Sequence, residues 1–190
     1  MDWAVDFVSN VDTENVNLMR ETLEAKLKAE SGQYGEAARI LWELLVQVRH
    51  AKKNQWECIT MVHLGKVYKA LRWKIAMQLF EQALELSETI EFPRAKMMAL
   101  DEIGEMECNW GHFVEAIELF QKSLSLVERG DLESKRSILL NMIIAYEGLD
   151  DLQRCRTFLE EVLQIDETID SAEMDEDKSH LERIKATIAH

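Results

Sequence analysis

Proline is almost missing from these 190 residues. Pro93 is the only one, and there are seven glycines. Both residue types interrupt helices, so their scarcity leaves room for helix along nearly the whole chain. Cysteine is also scarce. Cys58, Cys108 and Cys155 form an odd number at wide spacing, with no CxxC pair and no Cys/His cluster at zinc spacing. That excludes a disulfide framework and a zinc module, and it reads as reduced core thiols in a cytosolic protein. Cys108 and His112 lie four apart, but Gly111 breaks the helix that would bring them together. No apolar run reaches the roughly 18 residues of a membrane span. The opening MDWAVDFVSN carries acids where a signal peptide needs bases. Positive charge is in deficit as well. The 22 Lys and Arg stand against 36 Asp and Glu, a net charge of −14, which opposes non-specific nucleic-acid binding.

Catalytic signals are equally thin. His63, Asp101 and Glu105 could supply acid–base groups, but no nucleophile, metal cage or phosphate loop accompanies them. Gly65 and Gly104 belong to no GxGxxG. The expectation is a chain without enzymatic activity, bound metal or cofactor.

What is present is a repeat. In residues 100 to 124, LDEIGEMECNWGHFVEAIELFQKSL, Gly104 is followed by Gly111, Ala116 and Phe120. A mid-helix glycine admits a close neighbour, the second glycine accepts a helix exit, and Ala116 then Phe120 supply the returning helix. This is an antiparallel helix hairpin. The pattern recurs as Leu64-Gly65-x-x-Tyr68 with Ala76-x-x-x-Phe80, as Ala37-x-x-x-Leu41 after Gly32 and Tyr34, and as Tyr146 before Cys155-x-x-x-Leu159. The pivots Ala37, Ala76, Ala116 and Cys155 step by 39, 40 and 39 residues. Helix hairpins at a fixed step predict an all-α helical solenoid.

These residues resemble the tetratricopeptide repeat (TPR), with its L-G-x-x-Y and A-x-x-x-F signature. The step near 40 is similar to the long-helix repeats of LGN and kinesin light chains. Departures are Ala25 and Lys28 in the first repeat, one residue fewer between Gly65 and Ala76 in the second, and Ile143 and Cys155 in the fourth. The resemblance implies a right-handed solenoid of about four hairpins with terminal capping helices.

Residues 1–16, with Trp3, Phe7 and Val11 on one stripe, are expected to form a capping helix or a docking arm. The repeats span 17–165, as about 17–50, 55–90, 93–128 and 132–165. In the first repeat the first helix carries Leu18, Leu23, Ala25 and Leu27. Trp42 is expected to meet the next repeat, and Trp73 to pack at the second repeat's turn. Arg129-Gly130-Asp131 reads as a repeat junction rather than an integrin ligand. Residues 166–190 are expected to give a frayed helix end or an acidic linker through 177, then a closing capping helix behind a Ser179…Glu182 capping box.

The resemblance also implies a concave binding surface built from the first helix of each repeat. In that register it carries Lys26, His63, Lys66, Lys69, Met98, Asp101, Glu102, Glu105 and Asn141. Charge along the chain is separated in blocks. Residues 39–74 hold eight bases and two acids, net +6, and residues 81–118 hold ten acids and two bases, net −8. The surface lacks the Lys and Asn clamp of chaperone-tail binders, and Glu102 would repel a terminal carboxylate. The functional expectation is a cytoplasmic protein–protein interaction adaptor that takes an extended or helical segment of mixed charge. The alternative is a scaffold subunit assembling through the ends of the solenoid, as a homo-oligomer or in a larger complex. A peptide-sensing regulator would need an N-terminal DNA-binding or effector domain, for which residues 1–16 are too short unless the chain is a fragment of a longer protein.

Overall fold

A computed structural model of the chain describes residues 13–69 and 71–189. Among these, nine α-helices follow one another: α1 (Thr13–Glu30), α2 (Tyr34–His50), α3 (Asn54–Lys69), α4 (Trp73–Thr89), α5 (Pro93–Asn109), α6 (Phe113–Leu124), α7 (Leu132–Gly148), α8 (Leu152–Ile169) and α9 (Met174–Ile188). Residues up to Ala95 form one compact unit and those from Lys96 onward a second. The stripe at Trp3, Phe7 and Val11 lies outside the described residues.

The helices end in a recurring way. Left-handed backbone occurs at Gly32, Lys52, Glu91, Gly111, Gly130, Asp150 and Asp170, mostly about twenty residues apart. At six of these sites the next residue's N–H reaches back five positions. Examples are Gln33 to Lys28 O at 2.8 Å, Lys53 to Val48 O at 2.9 Å, His112 to Glu107 O at 2.9 Å and Asp151 to Tyr146 O at 2.9 Å. This is the Schellman exit, which satisfies carbonyls left over at a helix C-terminus. Glycine supplies the conformation at three sites, and Lys, Glu and Asp adopt it at the other four. Helix entry is marked too. Asp131 Oδ1 accepts from Ser134 N at 3.1 Å and Asp151 Oδ1 from Arg154 N at 3.2 Å, so the Asp of the Arg-Gly-Asp tripeptide is a helix cap.

In the first unit α1 packs on α2, α2 on α3, and α3 on α4. The α2 residues Ile40, Leu41, Leu44, Leu45 and Val48 face this core as their spacing predicts. The closest approach of α3 and α4 sets Gly65 against Phe80. A β-carbon on Gly65 would lie 2.3 Å from the Phe80 ring. The nearest atoms to that position all belong to the Phe of the repeat signature. Trp42 donates through Nε1 to the Tyr68 hydroxyl at 3.0 Å, a contact from α2 to α3.

The second unit repeats the device with Gly104 and Phe120, where the added β-carbon would lie 2.7 Å from the ring. It has another close approach. Phe113, at the start of α6, lies over Gly148 at the end of α7, 2.4 Å from where a β-carbon would stand. In the fourth hairpin Ile143 and Cys155 replace Gly and Ala, and the two positions still meet. Cys155 Sγ lies 3.6 Å from Ile143 O, and a side chain smaller than Phe, Leu159, fills the next turn with no exposure.

On α1 Leu18 and Ala25 are buried, while Leu23 and Leu27 are 55% and 57% exposed. Three expectations are corrected. Trp73, the first residue of α4, is 55% exposed. The acidic stretch is largely helical: α8 runs to Ile169 and α9 begins at Met174. Ser179 is not a cap, since its hydroxyl donates to Asp175 O at 2.9 Å inside α9. Asp175, Glu176 and Asp177 occupy the first turn of that helix, where negative charge opposes the helix dipole favourably.

Candidate protein-interaction surface

The nine residues expected on the binding face divide between the two units. In the first, α1 contributes Lys26 and α3 contributes His63, Lys66 and Lys69. Lys26, His63 and Lys66 line one cavity of about 330 Å³ together with Ala29, Glu30, Leu41 and Val67. The helical period explains the grouping, since His63 and Lys66 are one turn apart on α3. Lys26 is largely exposed and lies 3.7 Å from Glu30. Lys69, half-buried, stands outside the lining. The result is a pocket with apolar patches from Ala29, Leu41 and Val67 and a mainly basic rim.

In the second unit α5 carries Met98, Asp101, Glu102 and Glu105, and α7 carries Asn141. Asn141 Nδ2 donates to Asp101 Oδ1 at 3.0 Å. This amide is therefore engaged by the chain's own α5, a residue forty positions back, instead of facing outward for a peptide backbone. Glu102 is only 3% exposed, so it does not present a carboxylate to a partner. Met98 packs against the core of its unit. Asp101 and Glu105 are half-buried.

The thiols are sheltered. Burial pushes Cys58 and Cys155 up to about 11, with Glu57 adding to the first and Glu147 then Asp151 to the second. Cys108 is raised by burial and by Glu105. At neutral pH all three are protonated and poorly nucleophilic. His112 is not directed at Cys108; its Nδ1 lies 2.7 Å from Glu107 Oε2. Among the described residues no three His, Cys, Asp or Glu side chains gather as a metal site would require. No described helix is long and apolar enough to cross a membrane.

The most constrained polar cluster escaped the sequence reading. Arg136 on α7 donates through Nε to Asp166 on α8 and through Nη2 to Asp177 on α9, each at 2.5 Å. Asp166 has no exposure. No motif marks this trio, because its members lie thirty and eleven residues apart and look like ordinary surface charges.

No protein-family model matches the chain, and no curated protein matches its sequence. Solved structures do match in three dimensions. The TPR-like repeats of a candidate kinesin light chain from Podosopora anserina align with a TM-score of 0.68 at 16% identity, covering 91% of this chain and 87% of that one. The fold is that of the tetratricopeptide repeat. BtubC (BKLC) from P. vanneervenii aligns with a TM-score of 0.65 at 15% identity over 81% of this chain, and this chain spans 65% of BtubC. MamA from Desulfovibrio magneticus RS-1 aligns with a TM-score of 0.54 at 15% identity, covering 89% and 93% of the two chains. At such identities the likeness speaks to the TPR-like fold alone.

Proposed function

We propose that this TPR-like chain is a non-catalytic, cytoplasmic protein-interaction adaptor, and that the first unit holds its principal binding site. The carrying observation is the cavity lined by Lys26, His63 and Lys66 beside Ala29, Leu41 and Val67. A basic rim over an apolar lining suits a segment that carries acidic side chains next to an apolar anchor. Such a segment gains from burying the anchor and is oriented by its charges. In the second unit the half-buried Asp101, which accepts from Asn141, and Glu105 are the acidic groups that would favour a basic stretch. The mixed charge expected of the partner is kept, with the acidic part assigned to the first unit.

The test is affinity capture from a native lysate with wild type and with Lys26→Glu/Lys66→Glu, read by mass spectrometry, both proteins being checked by circular dichroism. Proteins lost only from the folded double variant support the site. An unchanged set of captured proteins would remove it.

A further inference from the structure

The face of α1 turned away from its own unit carries a continuous apolar stripe. Val16, Met19, Leu23 and Leu27 are 48%, 61%, 55% and 57% exposed. At 100° per residue they fall within an arc of about 80°, over roughly 16 Å of helix. The opposite side of the same helix provides Leu18 and Ala25 to the core. Four large apolar side chains in a row on a solvent face are more than scattered exposure explains. In a repeat fold, a helix face of this kind is one against which a further helix stacks.

The charges beside the stripe choose the occupant. Arg20 and Glu24, both exposed, lie on one flank and are equally spaced about the level of residue 22. Met19 and Leu23 straddle nearly the same level, and so do Val16 and Leu27. An antiparallel second copy of α1, related by a twofold axis at this height, would set Arg20 against Glu24 of the second copy. The same axis sets Glu24 against Arg20 of the second copy. It also lays Val16 near Leu27 and packs Met19 and Leu23 at the centre. Self-complementary pairing of one patch is what a twofold interface requires. We infer that α1 is a homodimerisation surface, two copies pairing antiparallel through Val16, Met19, Leu23 and Leu27 with reciprocal Arg20–Glu24 ion pairs. This goes beyond peptide binding, because its occupant is a second copy of the chain; Lys26 and Glu30 of the cavity lining border the same stripe at its Met19 edge. One helix face is small beside the roughly 1,600 Å² of a standard interface, so the association is reversible and concentration-dependent.

Sedimentation of the full chain from micromolar to near-millimolar concentration tests it. The weight-average mass should rise from the 22.1 kDa of the monomer toward twice that value. Leu23→Glu should stay monomeric with unchanged helicity. Arg20→Glu and Glu24→Arg should each weaken association by about tenfold, since every single reversal replaces two attractive pairs with two like-charge pairs. The double variant Arg20→Glu/Glu24→Arg restores both pairs and should recover the wild-type curve. A wild type that stays at the monomer mass throughout overturns the inference, including where hydrogen exchange finds this face covered by residues 1–12. A dimer indifferent to Leu23→Glu, or a double variant no better than the singles, overturns it as well. Capture by the Lys26/Lys66 site is measured separately, so either result leaves that site to its own test.

Discussion

Arg136 donates through Nε to Oδ1 of Asp166, a residue with no solvent exposure. Asp177 shares the same guanidinium through Nη2, so one cation holds α8 and α9 to α7. Burial works against the charge on Arg136, but Asp166 and then Asp177 more than offset it and raise its pKa. Removing the cation leaves two carboxylates facing each other in a dry site. Arg136→Met is expected to cost about 3–5 kcal/mol, read as a lower urea midpoint, with early hydrogen exchange across α9. A loss below 1 kcal/mol would mean that Leu181 and Ile184 hold α9 without the cluster.

Asp177 makes the cluster pH-dependent. Its pKa is raised from 3.8, first by burial and next by Asp166, with Arg136 opposing. Glu173, the other acid close to Arg136, is held low by Ser171. A raised folded value means the folded chain keeps the Asp177 proton more firmly than the unfolded chain does. That contribution is complete below the unfolded value and is lost as pH rises through the folded one. Asp177→Asn stays neutral throughout. It should be more stable than wild type at pH 7, and the difference should close toward pH 4. A less stable Asn variant at pH 7 would show that the ion pair outweighs burial.

Gly65 and Gly104 are steric requirements. A β-carbon would lie 2.3 Å from the Phe80 ring and 2.7 Å from the Phe120 ring, and both rings are fully buried. Gly65→Ala and Gly104→Ala should each cost about 1–3 kcal/mol by overpacking. Combining Gly65→Ala with Phe80→Leu should recover part of that loss, so thermal melts of the four-member cycle would give a non-additive coupling. Additive costs would mean the ring is not what the alanine meets.

Glu91 sits at φ 53° between α4 and α5, a conformation that costs a residue with a β-carbon about 1–2 kcal/mol. Glu91→Gly should relieve much of this and raise the melting temperature by a few degrees. Gly111→Ala, at φ 84° with open space around its β-carbon position, should lower it for the mirrored reason.

Charge reversal separates the buried site residue from the exposed one. Glu102→Lys should cost about 2 kcal/mol or more, because a longer side chain of opposite sign enters a 3% exposed position. Lys26→Glu, on a side chain 61% exposed, should leave the melt within about 0.5 kcal/mol. Equal melts for the two would return Glu102 to the surface.

The hairpins were legible in the sequence because their determinants are local or periodic. Scarce proline permits helix, glycine at positions 65 and 104 permits close crossing, and apolar residues such as those of α2 recur at 3.6. These are properties of single elements and nearest neighbours, which is why a repeat announces itself without a structure. The division of α1 was not legible in the same way. Leu18 and Leu23 look alike in sequence, and only the placement of α2 and α3 decides that one is buried and the other exposed.

Asn141 and Glu102 teach the same lesson at the candidate site. Family register placed both on a binding face, but a register positions side chains around one helix without saying what the neighbouring helix offers. Asp101, forty residues away, claims the Asn141 amide. The acidic stretch 166–177 shows the converse. Its composition argues for a solvated linker, and that inference holds only while no cation is near. Residue identity and spacing determined the helices, their exits and their close crossings. Tertiary structure decided which charges stay in water, because burying Asp166 and Asp177 depends on Arg136 being delivered to them by a different helix.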